Sequence, residues 1–81
     1  MVELETKYFI IDERDTEPSE SGLTSIWTVK SYYNLGIIYW HGPWRRYVFE
    51  PAAKTFFDAE FMQELADFCD RETREHMKEG D

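Results

Sequence analysis

The residues with the greatest chemical capacity lie together in Trp40-His41-Gly42-Pro43-Trp44-Arg45-Arg46-Tyr47, which holds two indoles, two guanidiniums, an imidazole and a phenol. Indoles stack on nucleobases, guanidiniums grip phosphate or carboxylate, and the same side chains are enriched at protein interface hot spots. Two uses follow. Trp40, His41, Trp44, Arg45, Arg46 and Tyr47 are candidate binders of a nucleotide or a short single-stranded nucleic acid. Tyr39, Trp44, Arg45, Arg46 and Val48 are candidates for docking another protein, the more economical functional use. The alternative for the same stretch is structural, with Trp40 and Tyr47 packed under a helix and both arginines paired with flanking acids.

Catalytic chemistry finds little footing. The two histidines, His41 and His76, have no neighbouring pattern that names a nucleophile. Glu72 and His76 stand at i,i+4 and could share a metal, but two ligands without a third are read as an incidental surface pair. The single cysteine, Cys69, falls on an apolar helical stripe and is read as a buried, inert thiol. P-loop, G-x-G-x-x-G, H-E-x-x-H and C-x-x-C patterns are all lacking. The expectation is a non-enzymatic chain with no cofactor and no metal.

Eighty-one residues must position these groups, which bounds the protein to one small domain, 1–81. Nine Lys and Arg against 17 Asp and Glu give a net charge of -8, the wrong sign for a general duplex DNA binder. The charge is uneven: residues 1–22 carry 7 acids and 2 bases, 23–54 carry 1 acid and 4 bases, and 55–81 carry 9 acids and 3 bases. A basic, aromatic middle is thus flanked by acidic segments, whose imitation of a phosphate backbone is less economical than simple solvation. The first residues lack the basic and apolar regions of a signal peptide, and one cysteine forms no internal bridge, so a reducing, cytoplasmic setting is expected. Apolar runs are far shorter than the roughly 20 residues of a membrane span.

The periodicities predict an α+β fold: a four-stranded antiparallel meander with one C-terminal helix packed on one face. Tyr8 to Ile11, Ser25 to Ser31, Leu35 to Trp40 and Arg45 to Glu50 read as the strands, with His41 to Trp44 as a turn and Pro51 closing the sheet. Residues 12–22, with five acids, Pro18 and Gly22, read as an acidic flexible loop. Asp58 is the predicted N-cap of a helix whose stripe is Phe61, Met62, Leu65, Phe68 and Cys69, with Asp67/Arg71 and Asp70/Arg74 spaced as ion pairs. Residues 70–81 read as a solvent-exposed, fraying helix end.

A turn at His41 to Trp44 pairs Trp40 with Arg45, Ile38 with Tyr47 and Gly36 with Phe49. One sheet face then carries Ile38, Trp40, Tyr47 and Phe49, and the other Leu35, Ile37, Tyr39 and Val48 with Arg46 among them. An antiparallel sheet with one wet face shows polar residues there, and this one does not. One helix covers one face, so the second is expected either to form an interface, including a sheet-to-sheet homodimer, or to lie under the acidic loop or the N-terminal segment.

Across Leu35-Gly36-Ile37-Ile38-Tyr39-Trp40, Trp44-Arg45-Arg46-Tyr47-Val48-Phe49-Glu50-Pro51, Thr55-Phe56-Phe57-Asp58 and Leu65-Ala66-Asp67-Phe68, the chain resembles a family of short uncharacterised proteins of bacteria and their phages. The resemblance runs from about Ile26 to Phe68 and carries no known activity. It implies a phage or prophage setting, in which small acidic proteins disable a host defence or redirect a host enzyme by binding. The expectation is therefore an anti-defence inhibitor that binds a host protein in the host cytoplasm, working as a homodimer.

Overall fold

The computed structural model describes residues 2–20 and 22–80. Its elements in chain order are β1 (Val2–Glu5), β2 (Ile10–Ser19), β3 (Gly22–Lys30), β4 (Asn34–His41), a 3-10 turn (Gly42–Trp44), β5 (Arg46–Pro51) and α1 (Ala59–Gly80). The strands form one antiparallel sheet in the order β1-β2-β3-β4-β5, and the helix packs on one face of it. The α+β class and the C-terminal helix are as the periodicities predict, but the sheet has five strands rather than four. The additional strand β1 pairs Leu4 with Ile11 and Glu5 with Ile10. It is short and half acidic, so it gives almost no apolar alternation to read.

The segment expected to be an acidic loop is mostly strand. Asp12, Glu13, Asp15, Thr16, Glu17, Pro18 and Ser19 pair with β3, with one bulge between Glu13 and Asp15. The β-branched partners Thr24, Ile26 and Thr28 supply the pairing preference that the acids lack. Beyond Asp12, β2 has no further β1 partner in the register, and its acids and Pro18 are the residue types that keep an exposed edge from recruiting another strand. The chain enters β2 through a local turn, in which the Thr6 hydroxyl accepts the amide protons of Tyr8 and Phe9 at 3.1 and 3.0 Å.

Strands β4 and β5 pair Trp40 with Tyr47, Ile38 with Phe49 and Gly36 with Pro51. This differs by two residues from the pairing expected for a turn at His41 to Trp44. Gly42–Trp44 wind as a 3-10 turn and Arg45 adopts a left-handed conformation with φ 53°, which takes up the extra residues. A two-residue shift preserves the side-chain alternation, so both predicted faces survive it. Leu35 is the exception, because a register shift between Val29 and Lys30 lets it join the core at 7% exposure.

The helix begins where Asp58 Oδ1 accepts the Phe61 amide proton at 2.8 Å, as an N-cap should. Its buried stripe is Leu65 and Phe68, with Phe61 and Cys69 beside them, packed on Phe9, Ile11, Trp27, Val29, Ile38 and Tyr47. Met62 lies at the margin of that stripe and is exposed. Instead of fraying after Cys69, the helix continues its stripe through Thr73 to His76, which is buried. The Thr73 hydroxyl accepts the Tyr47 amide proton at 2.9 Å, and the His76 ring lies 4.5 Å from that of Trp40. Asp70 and Arg74 form the anticipated pair at 3.1 Å, whereas Asp67 accepts a proton from Gln63 and Arg71 turns to Glu72.

Candidate functional site

The helix covers the face that carries Trp27, Val29, Ile38, Trp40, Tyr47 and Phe49. Strand alternation then puts Ile10, Asp12, Ile26, Thr28, Lys30, Ile37, Tyr39, His41, Arg46, Val48 and Glu50 on the opposite face. Among the described residues no helix or loop is packed over that face. Its centre is apolar: Tyr39 and Val48 are directly opposed on β4 and β5, and Ile37 and Ile26 flank them. All four are half-buried by their sheet neighbours alone. Residues 12–19, which in the alternative to an interface would fold over this face, are themselves part of a strand of the sheet.

Polar groups rim this centre. Lys30 Nζ lies 3.6 Å from Asp12 Oδ2 across β2 and β3. The Tyr39 hydroxyl donates to Glu50 Oε1 at 3.0 Å, and this hydrogen bond, with lesser contributions from desolvation and the carboxylate charge, raises the phenol above its ordinary range. At the other end His41 and Trp44 meet edge to face with centroids 4.8 Å apart, and Trp44 is 65% exposed. Arg46 is exposed and donates through Nε to the Trp44 carbonyl at 3.3 Å.

The aromatic and basic octapeptide is therefore divided. Trp40 and Tyr47 point under the helix, where Trp40 meets Tyr47 at 5.2 Å and the Tyr47 hydroxyl accepts the Ser25 amide proton at 3.1 Å. Tyr47 is 6% exposed and has no free ring face to offer a base. His41, Trp44 and Arg46 belong to the uncovered side. Arg45 lies between them, on a shallow cleft of about 310 Å³ that it lines with Trp40, Thr24, Glu17 and Glu20. Two carboxylates in that cleft oppose an anionic ligand, so Trp40 and Arg45 do not make a phosphate site. Of the protein-docking candidates, Tyr39, Val48 and Arg46 share one face, Trp44 stands at its end, and Arg45 turns away.

Among the described residues no three His, Cys, Asp or Glu side chains are grouped to hold a metal ion. His76 is turned into the Trp40 and Tyr47 rings rather than toward Glu72 as a surface pair. Cys69 is half-buried, and its thiol is pushed up to about 11 by desolvation and by the Glu72 charge. Such a thiol is a poor nucleophile at neutral pH. Among the described residues no helix is long and apolar enough to cross a membrane.

Sequence reasoning did not place Ile10, Ile26 and Thr28 on the uncovered face. The signal was the alternation of Ile26, Thr28 and Lys30, which reads correctly only once β3 is paired with β4. It also passed over an apolar cleft of about 440 Å³ at the opposite end of the molecule, between Tyr8, Phe56, Phe57 and Phe61. Phe56 is 91% exposed there. Two adjacent phenylalanines just before an N-cap, only one of which can face inward, were the available clue.

No protein family, curated protein or solved structure matches this chain.

Proposed function

We propose that this chain is a small, non-catalytic interaction protein that binds through its uncovered sheet face. The observation that carries the reading is the apolar row of Ile26, Tyr39 and Val48, with Ile37 beside it, on a sheet whose other face already holds the only α-helix among the described residues. An antiparallel sheet with one face in water ordinarily alternates to polar residues there, and apolar side chains in that position mark an interaction site. Trp44 and Arg46 at the rim are residue types enriched at interface hot spots. The setting implied by the sequence resemblance adds a bacterial host protein as a target, which binding by the chain or by its assembly would inhibit or redirect.

The test is affinity capture from bacterial cytoplasm with the wild-type chain and with Val48→Asp, using Asp67→Lys on the exposed helix surface as the control. Capture of a protein, including an untagged copy of the chain, should be lost with Val48→Asp and kept with Asp67→Lys. Equal capture by all three chains overturns the reading.

A further inference from the structure

Resting on that reading, we infer that the occupant of the uncovered face is a second copy of this chain, turned end for end so that Arg46 of each copy meets Glu50 of the other. The two-fold axis lies between the two sheets and crosses the strands at the level of Tyr39 and Val48.

A two-fold interface must be self-complementary, because each copy presents the same patch. Val48 and Tyr39 face each other across β5 and β4, and Ile26 falls at the same level because Trp27 pairs with Ile38. Over β3, β4 and β5 an axis along this row stacks Ile26, Tyr39 and Val48 on their own copies, which needs no charge matching there. The neighbouring rows are exchanged by the rotation. One holds His41 and Arg46, directly paired, and the other holds Thr28, Ile37 and Glu50. Arg46 and Glu50 are each two residues from Val48 on the same strand, so the rotation that superposes Val48 on the partner's Val48 sets a guanidinium against a carboxylate twice over.

Neither group is otherwise engaged in an ion pair among the described residues. The Tyr39 hydroxyl holds Glu50 toward the face through Oε1. The charge distribution permits the association despite a net charge of -8. On β3, β4 and β5 this face carries only Lys30, Arg46 and Glu50 as charged groups, and Lys30 is matched by Asp12. Most of the remaining acids lie on the helix and on the outer half of β2, where Asp15, paired with Ile26, stands at the β2 end of this row. Antiparallel sheets packed face to face keep their strands within about 30° of alignment, so the end-for-end arrangement is an ordinary sandwich. Rotation about an axis parallel to the strands would keep Arg46 at its own level and away from the partner's Glu50.

The test is a charge exchange followed by light scattering and native mass spectrometry over a dilution series. Wild type should be a dimer. Arg46→Glu and Glu50→Arg each place like charges in contact and should weaken dimerisation about 100-fold. The double variant R46E/E50R should recover to within about tenfold of wild type. Both residues are exposed, so the fold should tolerate the changes, and Glu60→Arg on the helix controls for net charge. Single variants that stay dimeric, or a double variant that stays monomeric, overturn the arrangement. A wild type that is monomeric throughout overturns the second-copy inference. If such a monomer still captures a different protein in a Val48-dependent way, the interaction reading stands without it.

Discussion

Thr73 Oγ1 accepts the backbone amide proton of Tyr47 at 2.9 Å while donating its own proton to the Cys69 carbonyl at 2.7 Å. One helical hydroxyl thus satisfies an amide of the edge strand β5 and ties the last turns of α1 to it. An amide left unpaired in a part-buried site costs about 1–3 kcal/mol. Thr73→Val, which keeps the shape and removes the hydroxyl, should destabilise the fold by about that amount. Thr73→Ser should retain most of the stability. Urea unfolding of the two variants decides it, and equal stability of Val and Ser would remove the anchor.

Gly36 is the position at which an added methyl group meets the most. Its φ is +150°, a conformation that L side chains rarely adopt, and a Cβ there would press on the Glu50 carbonyl and approach the Phe49 ring carbons to 2.7 Å. Gly36 lies between Val29 and Pro51 in the centre of the sheet, where the backbone has little room to yield. Gly36→Ala should cost about 3 kcal/mol or more from overpacking and backbone strain together. At Gly42 a Cβ meets nothing within 4 Å. Gly42→Ala should fall within about 0.5 kcal/mol of wild type. Thermal unfolding of both variants provides the comparison.

What could be read from the sequence divides according to where the stabilising contacts come from. The helix, its Asp58 cap and the two faces of β4 and β5 are encoded in short-range periodicity, and each is legible. The faces survive even a wrong register, because the turn at Gly42–Trp44 displaces the pairing by two residues and the alternation repeats every two. Residues 12–19 are different. Their composition favours a loop, and they become strand only because β3 offers nine residues of edge to pair with. The helix end is illegible for a similar reason. Thr73 and His76 look like solvated positions until Tyr47 and Trp40 arrive beneath them from the sheet. Arg45 and Arg46, adjacent in sequence, read as one site; both border a cleft beside Cys69, Asp70 and Thr73 of the helix, and Arg45 also lines the cleft that holds Glu17 and Glu20.

His76 is 8% exposed, with its ring 4.5 Å from Trp40 and 6.2 Å from Tyr47. This contact holds down a helix end that composition alone would leave in solvent. His76→Ala should cost about 1–3 kcal/mol, from lost aromatic packing and the cavity that remains. Hydrogen exchange gives the sharper readout. In wild type the amides of α1 should be protected through the Thr73 to His76 turn, and in His76→Ala protection should retreat toward Cys69. Exchange at the wild-type turn as fast as in a free peptide would mean that the end frays after all.

The Cys69 thiol, raised to about 11 by desolvation first and by Glu72 second, stays protonated in the folded chain at neutral pH. Native alkylation at about pH 8 should run roughly 100-fold slower than in the unfolded chain, because the thiolate fraction falls by about that factor. The sign for stability follows from the raised value. The contribution is fully present below the ordinary thiol range near 9.0 and is lost as the pH rises toward about 11. Cys69→Ala should therefore flatten the alkaline fall in stability. Rapid, complete labelling of the native protein would contradict the burial.

Tyr39 bears on the uncovered face most directly, because its hydroxyl fixes the carboxylate that the second copy is inferred to use. Donation to Glu50 favours the protonated phenol, as do desolvation and the adjacent negative charge, so Tyr39 should ionise above the ordinary tyrosine value of 10.0. Ultraviolet titration of wild type should contain a late-ionising component that is absent in Tyr39→Phe. In Glu50→Gln the same tyrosine should move down toward 10.0, since both the acceptor and the charge are weakened. Its stabilising contribution is present below that value and disappears above it, so Tyr39→Phe should leave the neutral-pH fold intact while reducing the alkaline sensitivity. A titration curve unchanged by Glu50→Gln would mean that the pair is not formed in solution, and Glu50 would then have no fixed position from which to meet Arg46.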